Sequence, residues 1–492
     1  MTERFDAFAT ATQMLSILRA RRISAVELLD LHLGRIERHN RTLNAIVEFD
    51  FERARVVAAA ADAKRSRGED TPLLGLPMTL KESINVTGLH TTMGMPEWVD
   101  FRSEHDAPVT TAVKKAGAVI TGKTNVPPML LYWQAVNPIY GRTNNPRDLT
   151  RSPGGSTGGG AAAVAAGLTP LEFGSDLGGS IRVPAAFCGV YGHRPSETAM
   201  PRSGQGALPP MPNAAEVMGV LGPLARSAED LELALDVAAG PDSGEDVAWR
   251  IELPPARHER LADFRVAVLP PIDWVPVDAE SLAAQADLVA RLARIGCRVE
   301  TITPGGFGDF ADHYALYMQL RAAVHASRMT PEGRRDRLEA IRTRADVWSA
   351  ALQQGMEGTA ADYIVWHGER ERYRAAWRAF FRDWDVLLTP AWLGPAFPHK
   401  GSFWPVTPAS LRETVEINGN PVLFELGLFY PSVSTLAGQP ATAFPVGRTG
   451  AGLPIGLQAI GPYLEDRTSI RFAELVAREW GGFSRPPGYD AD

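Results

Sequence analysis

Cysteine is nearly absent from this 492-residue chain, with only Cys188 and Cys297 present. Two thiols cannot build a disulfide framework and fit a reducing compartment, so a soluble protein of the cytosol is expected. No apolar run reaches the ~18 residues of a membrane span. The N-terminus also lacks a basic segment followed by an apolar core. There is no HExxH, no CxxC and no acidic EF-hand loop, so neither a metal site nor a cofactor is expected. An excess of one charge is missing too. Lys and Arg number 50 against 57 Asp and Glu, a net charge of −7, which gives no reason to expect nucleic acid or a membrane as partner. The densest basic stretch, Arg334 to Arg344, contains Asp336 and Glu339 and reads as a solvated helix.

What is there is a pattern of helices alternating with short β-branched strands. Ala9 to Arg21 reads as an amphipathic helix, and Ser24 with Glu27 forms a capping box that opens another, running to about Asn40. Ala54 to Arg65 is alanine-rich and helical, as is Val109 to Ala116. Strands are expected at Met78 to Leu80, Ala118 to Thr121, Leu171 to Gly174 and Phe264 to Leu269. Thr157 to Gly167 holds so many small residues that it reads as a buried helix. A further helix is expected at Ala279 to Ile295. Phe307 to Phe429 is long, helical and aromatic, with Trp348, Trp366, Trp377, Trp392 and Trp404. Strand character returns at Ala441 to Val446 and Gly456 to Ile460, before a last helix at Asp466 to Trp480. This order predicts an α/β fold, a large mixed sheet covered by helices on both faces. One domain spanning 1–492 is expected, with a helical layer over about 9–65, a core over about 66–245 and a variable insertion over about 245–430.

Two motif matches fail on physical grounds. Gly117 to Thr124 fits the Walker A pattern, but Val119, Ile120 and Thr121 read as a buried strand, and Pro127 and Pro128 stop any following helix. Gly154-Gly155-Ser156-Thr157-Gly158 fits the GxSxG elbow, yet the approach from Thr143 to Pro153 is loop where that elbow needs a strand. His193 sits beside Arg194-Pro195, a loop context, and reads as structural.

The glycine-flanked serines remain: Ser156 in the run Gly154 to Gly160, and Ser180 in Gly174-Ser-Asp-Leu-Gly-Gly-Ser-Ile-Arg182. Glycines leave amide N–H groups bare beside each hydroxyl, which suits acyl transfer through a nucleophile and an oxyanion site. Lys81 lies between Leu76-Pro-Met-Thr-Leu80 and Ile84. It is either a surface lysine ending a strand or a buried amine whose depressed pKa makes it a base.

Together these residues resemble the amidase signature hydrolases. The likeness extends to Gly122-Lys-Thr-Asn-Val-Pro127, Asn144-Asn-Pro146, Gly222-Pro-Leu-Ala-Arg226, Asp385-Val-Leu-Leu-Thr-Pro390 and Leu453 to Gly461. It weakens only across about 245–430. The resemblance implies the amidase signature fold and a Ser–cisSer–Lys triad. In it Ser180 is the nucleophile, Ser156 (after a cis Gly155–Ser156 bond) the proton relay, and Lys81 the base. It further implies oxyanion donors at Leu177, Gly178, Gly179 and Ser180, with Asp176 and Arg182 holding the loop by pairing. Leu177 stands where many members have threonine and is more like the fatty-acid-amide branch.

Family members hydrolyse amides, anilides, ureas and carbamates, often as homodimers. Met129 to Trp133 resembles the family's acyl-pocket segment, so Leu130 and Leu131, with Gly155 and Arg202, are the expected substrate contacts. The loop at Arg202 to Gly204 and the Phe403-Trp404 segment are expected to close the mouth. The expected substrate is an uncharged, hydrophobic or aromatic small-molecule amide or urethane. Two other readings are a glutamine-dependent amidotransferase component that works with partner subunits, and a binding protein that has lost catalysis.

Overall fold

The computed structural model describes residues 5–207, 217–344, 346–401, 407 and 409–490. Eleven strands form one mixed sheet: β1 (Ile46–Phe49), β2 (Pro77–Lys81), β3 (Val119–Thr124), β4 (Leu171–Asp176), β5 (Tyr191–Arg194), β6 (Val220–Ala225), β7 (Arg265–Val268), β8 (Arg298–Thr301), β9 (Val386–Pro390), β10 (Ala441–Arg448) and β11 (Pro454–Ile460). Their spatial order is β1-β3-β2-β4-β6-β5-β10-β11-β9-β7-β8. The β2 strand runs parallel to β3 and β4, whereas β4 is antiparallel to β6.

The sheet separates distinct apolar cores. Side chains alternate across a strand, so Val266, Leu388 and Ala459 enter one core while Ala267, Leu387 and Ile460 enter another. The first core is covered by α1 (Ala11–Arg19), α2 (Ala25–Leu43), α3 (Phe51–Ser66), α4 (Pro108–Lys115), α7 (Ala228–Ala238), α8 (Ala279–Arg294) and the helix at Asp466–Trp480. The opposite face carries α5 (Gly158–Ala165) and α6 (Arg182–Cys188), with aromatic helices of the insertion, α9 (Phe310–Ala326) first among them, packed beyond. This is the expected α/β layering. Ser24 and Glu27 form the predicted capping box of α2.

Three expectations need correction. The β3 and β4 strands run further than their β-branched runs, because lysine, threonine and aspartate continue a strand when neighbours on both sides supply hydrogen bonds. His193 lies in β5, not in a loop. It is fully buried between Asp466 (3.1 Å) and Thr442 (2.9 Å). The basic stretch forms α10 (Pro331–Arg342) and the turn after it, but only one face is solvated: Ala340, Ile341 and Arg344 are buried. The Phe403-Trp404 segment lies outside the described residues. Both cysteines are buried and free. Among the described residues no helix is long and apolar enough to cross a membrane, and no His, Cys, Asp and Glu group is placed to hold a metal ion.

The Walker-like glycine has a packing reason. Gly122 lies in β3, and a Cβ there would stand 2.2 Å from the Glu48 carbonyl oxygen of β1. Backbone cannot yield as a side-chain tip can. Gly122→Ala is therefore expected to cost about 3 kcal/mol, the upper end for overpacking. A thermal melt should show a midpoint several degrees lower, and an unchanged melt would contradict this packing.

Candidate active site

Parallel pairing of β2 with β4 sets Thr79 beside Glu172 and Leu80 beside Phe173. Both strands thus deliver their C-terminal residues to the same edge, where Lys81 ends β2 and Ser175-Asp176 end β4. Lys81 is fully buried. Its Nζ lies 2.6 Å from Ser156 Oγ, 2.9 Å from Ser175 Oγ and 3.4 Å from the Ser175 carbonyl. Burial pulls its pKa down to about 7, against the upward pull of Asp176 and Glu172. Glu172, buried below, is pushed up by desolvation to about 8, although the hydroxyls of Thr79 and Thr124 donate to it. Burial thus disfavours the charged form of both groups.

Ser156 opens the turn into α5 after a cis Gly155–Ser156 bond. A Cβ on Gly155 would stand 2.3 Å from the Tyr132 carbonyl oxygen and 2.7 Å from the Gln134 nitrogen. Gly155 therefore lets two backbones meet. It does not line the cavity, which corrects its expected role as a substrate contact. The Thr157 N–H donates to the Ser180 carbonyl at 3.1 Å, joining the two serine loops.

The loop from Leu177 to Ser180 is held from both sides. Asp176 accepts from the Gly179 N–H (2.9 Å), the Ile181 N–H (3.1 Å) and Arg182 Nε (3.0 Å) and Nη2 (2.9 Å). Arg182, fully buried, also donates to Ser434, Thr435 and Gln458. Burial opposes the Asp176 charge, but Arg182 prevails and holds this carboxyl well below its usual range. On the other side, Trp133 Nε1 donates to the Gly178 carbonyl (3.0 Å) and the Tyr317 hydroxyl to the Leu177 carbonyl (3.1 Å). In a trans peptide the N–H points opposite to the C=O, so Tyr317 fixes which way the Gly178 N–H faces. Among the described residues the N–H groups of Leu177, Gly178 and Ser180 have no partner. The Gly179 N–H is already committed to Asp176, which removes it from the expected oxyanion set.

These groups border a cavity lined by Ser156, Ser180, Leu177 and Gly178. Leu130 and Leu131 line it as expected, along with Tyr132 and Trp133. Met129 and Leu130 both adopt the left-handed backbone region (φ +51° and +62°), which turns this segment sharply beside the serines. Arg202 does not line the cavity. It is buried and donates to the Gly219 carbonyl, so the expected contact is a structural one, and Gln205 lines the wall in its place. Sequence reasoning missed Ser175, Glu172 and Tyr317. It also missed a basic wall of Arg321, His325, Arg328, Arg337 and Arg344. The available signal was spacing: Tyr317, Arg321 and His325 repeat every four residues, which puts them on one face of α9.

Comparison with known proteins agrees with this geometry. The family model described as Amidase matches residues 27–470. An indoleacetamide hydrolase of Bradyrhizobium diazoefficiens is 32% identical over 466 residues, covering 93% of this chain and 84% of its own. One component of the glutamyl-tRNA(Gln) amidotransferase of a Synechococcus strain is 30% identical over 492 residues, covering 96% of each. A solved 6-aminohexanoate cyclic dimer hydrolase complexed with substrate superposes with a TM-score of 0.79 at 25% identity, covering 99% of this chain and 100% of that one. A match of this extent, over a sheet that gathers lysine and glycine-flanked serines at one edge, shows that the chain belongs to the amidase signature family of amide hydrolases.

Proposed function

We propose that this chain hydrolyses small-molecule amides with a hydrophobic or aromatic portion, carbamates included, through an acyl-enzyme on Ser180. The observation that carries the reading is the buried Lys81 amine 2.6 Å from the Oγ of Ser156, which lines the same cavity as Ser180. A neutral amine has two N–H donors and one lone pair. The Ser175 carbonyl and hydroxyl suit the donors, which leaves the lone pair for the Ser156 proton.

The reaction then runs as a relay. Ser180 Oγ attacks the carbonyl carbon, its proton passes to Ser156, and the Ser156 proton passes to Lys81. Oxyanion charge falls on the free N–H groups of Leu177, Gly178 and Ser180. Losing one such donor typically costs about 3 kcal/mol of transition-state stabilisation. The Lys81 proton returns through Ser156 to the leaving nitrogen, the C–N bond breaks, and water releases the acyl group by the same route. Leu130, Leu131, Trp133, Leu177 and Leu428 form the apolar wall next to the reacting carbon. That wall favours a hydrophobic group over the charged ammonium of a free glutamine, the substrate that an amidotransferase component would take. Turnover without tRNA and without partner subunits would separate these two readings.

Ser180→Ala is expected to lower kcat by at least about 10⁴-fold, as loss of a nucleophile does elsewhere. It should also abolish fluorophosphonate labelling. Lys81→Ala should cost about 10²–10⁴-fold, the usual worth of a general base. A labelled Ser180→Ala chain would reassign the nucleophile. The active form of Lys81 is the uncharged one, so kcat/KM on a neutral anilide should rise with pH to a plateau above its pKa of about 7. A flat profile from about pH 6 to 9 would exclude this proton transfer.

A further inference from the structure

One end of the cavity is not used by the amide chemistry. Its wall is built from α9 and the residues around α10. Tyr317, whose hydroxyl fixes the oxyanion loop, and Arg321 and His325 follow one another at four-residue intervals along α9, and Arg328 stands just past its end. From α10 and the turn after it come Arg337 and Arg344. Among the described residues these four guanidiniums share the lining with two carboxylates beyond the serine loop, Glu413 and Glu425. Arg344 is held in place by Glu425 (2.6 Å) and Asp346 (2.7 Å), and Arg321 approaches the same Glu425 at 3.5 Å. With its side chain only 1% exposed, Arg344 still has Nη2 without a hydrogen-bond partner among the described residues. A buried, unsatisfied donor on a charged fork is costly to leave unmade. Burial and the positive field of Arg321, Arg328 and Arg337 also hold His325 neutral, far below its usual range, so this end of the cavity disfavours any further cation.

We propose that this basic wall is a carboxylate subsite, and that preferred substrates carry a carboxylate at least one helical turn from the scissile amide. The distance follows from α9. Arg321 is four residues beyond Tyr317, about 6 Å along the helix at ~1.5 Å per residue. A planar carboxylate matches a guanidinium fork at two points, and an arginine already braced by Glu425 and Asp346 loses little freedom in meeting it. The apolar wall would take the chain or ring between the two ends. The assignment rests on Ser180 as nucleophile and names the class of amide that reaches it.

The test uses two matched substrate pairs. In the first, a glutaric or adipic acid mono-p-nitroanilide is compared with the uncharged analogue whose carboxylate is a methyl ketone. In the second, an N-acylaminobenzoate is compared with its methyl ketone analogue, which places the charge on the amine side. One of the two acids should exceed its neutral partner in kcat/KM by at least tenfold, chiefly through KM, and the excess should shrink as salt is raised. Arg344→Gln should reduce that ratio at least tenfold, and Arg344→Lys should retain part of it. Arg321→Gln provides a second variant, and the wild-type ratio decides even where a variant fails to fold. Neutral analogues cleaved as well as both acids would overturn the subsite while leaving the amidase reading in place. A wild-type chain that fluorophosphonate does not label, and that cleaves none of the four compounds, would overturn both.

Discussion

An amine taken out of water and held against two hydroxyls and a carbonyl is the constraint around which this active site is arranged. A lysine at a strand end normally reaches solvent and stays charged. Lys81 cannot, because β3 and β4 flank its strand and α5 closes over its tip. Desolvation makes the ammonium the costly state, and the nearby Asp176 and Glu172 restore only part of that cost. Asp176 is turned toward Arg182, and Glu172 is itself pushed toward its neutral form, so neither provides the close counter-ion that would keep the lysine charged.

The same constraint explains the small residues. For a lysine in the sheet to meet a serine from the preceding loop, α5 must lie directly on the strands. Its eight residues are glycine, alanine and one valine, all buried. Gly155 lets the incoming chain touch the Tyr132–Gln134 backbone at a distance no side chain permits. Those contacts place Ser156, while Tyr132 and Trp133 line the cavity and Trp133 holds the Gly178 carbonyl. Placement of the proposed relay and orientation of the Leu177 to Ser180 loop thus share one segment of chain.

The fold was legible where one local signal dominated. The capping box of α2, the small-residue run of α5 and the final helix at Asp466–Trp480 fell where patterning put them. Lys81, Ser156 and Ser180 stood out as candidates because glycine-flanked serines and a lysine among apolar residues are chemically unusual, and the structure sets Lys81 2.6 Å from Ser156. Resemblance to a family supplied roles that spacing alone could not. What failed depended on partners distant in sequence. Arg202 looked like a mouth residue because the loop around it is polar, but its guanidinium is spent on the Gly219 carbonyl. His193 looked loop-bound beside a proline, yet β6 and β10 flank it and make it strand. The stretch from Arg334 to Arg344 looked solvated because charge along a sequence does not show which face of a helix is covered. Glu425, distant in sequence, is what turns Arg344 inward.

The division of labour between sheet and insertion follows from rigidity. The proposed proton relay would tolerate errors of only about 0.5 Å, and the residues assigned to it sit on a paired strand and on loops locked by buried hydrogen bonds. Binding a distant part of a substrate is less exacting, and the residues that face the far cavity come from α9, α10 and the segment around Glu425. These meet the sheet chiefly through aromatic packing, such as Trp133 against Trp392 and Phe424. Polar contacts also join the two parts, among them Tyr132 to Glu413 and Arg370 to Glu197. Tyr317 lies on the helix that carries Arg321, and its hydroxyl holds the oxyanion loop. If the proposed subsite holds a carboxylate, that group and a carbonyl at Ser180 would be measured along the same helix, and substrate length, rather than hydrophobicity alone, would be what this architecture selects.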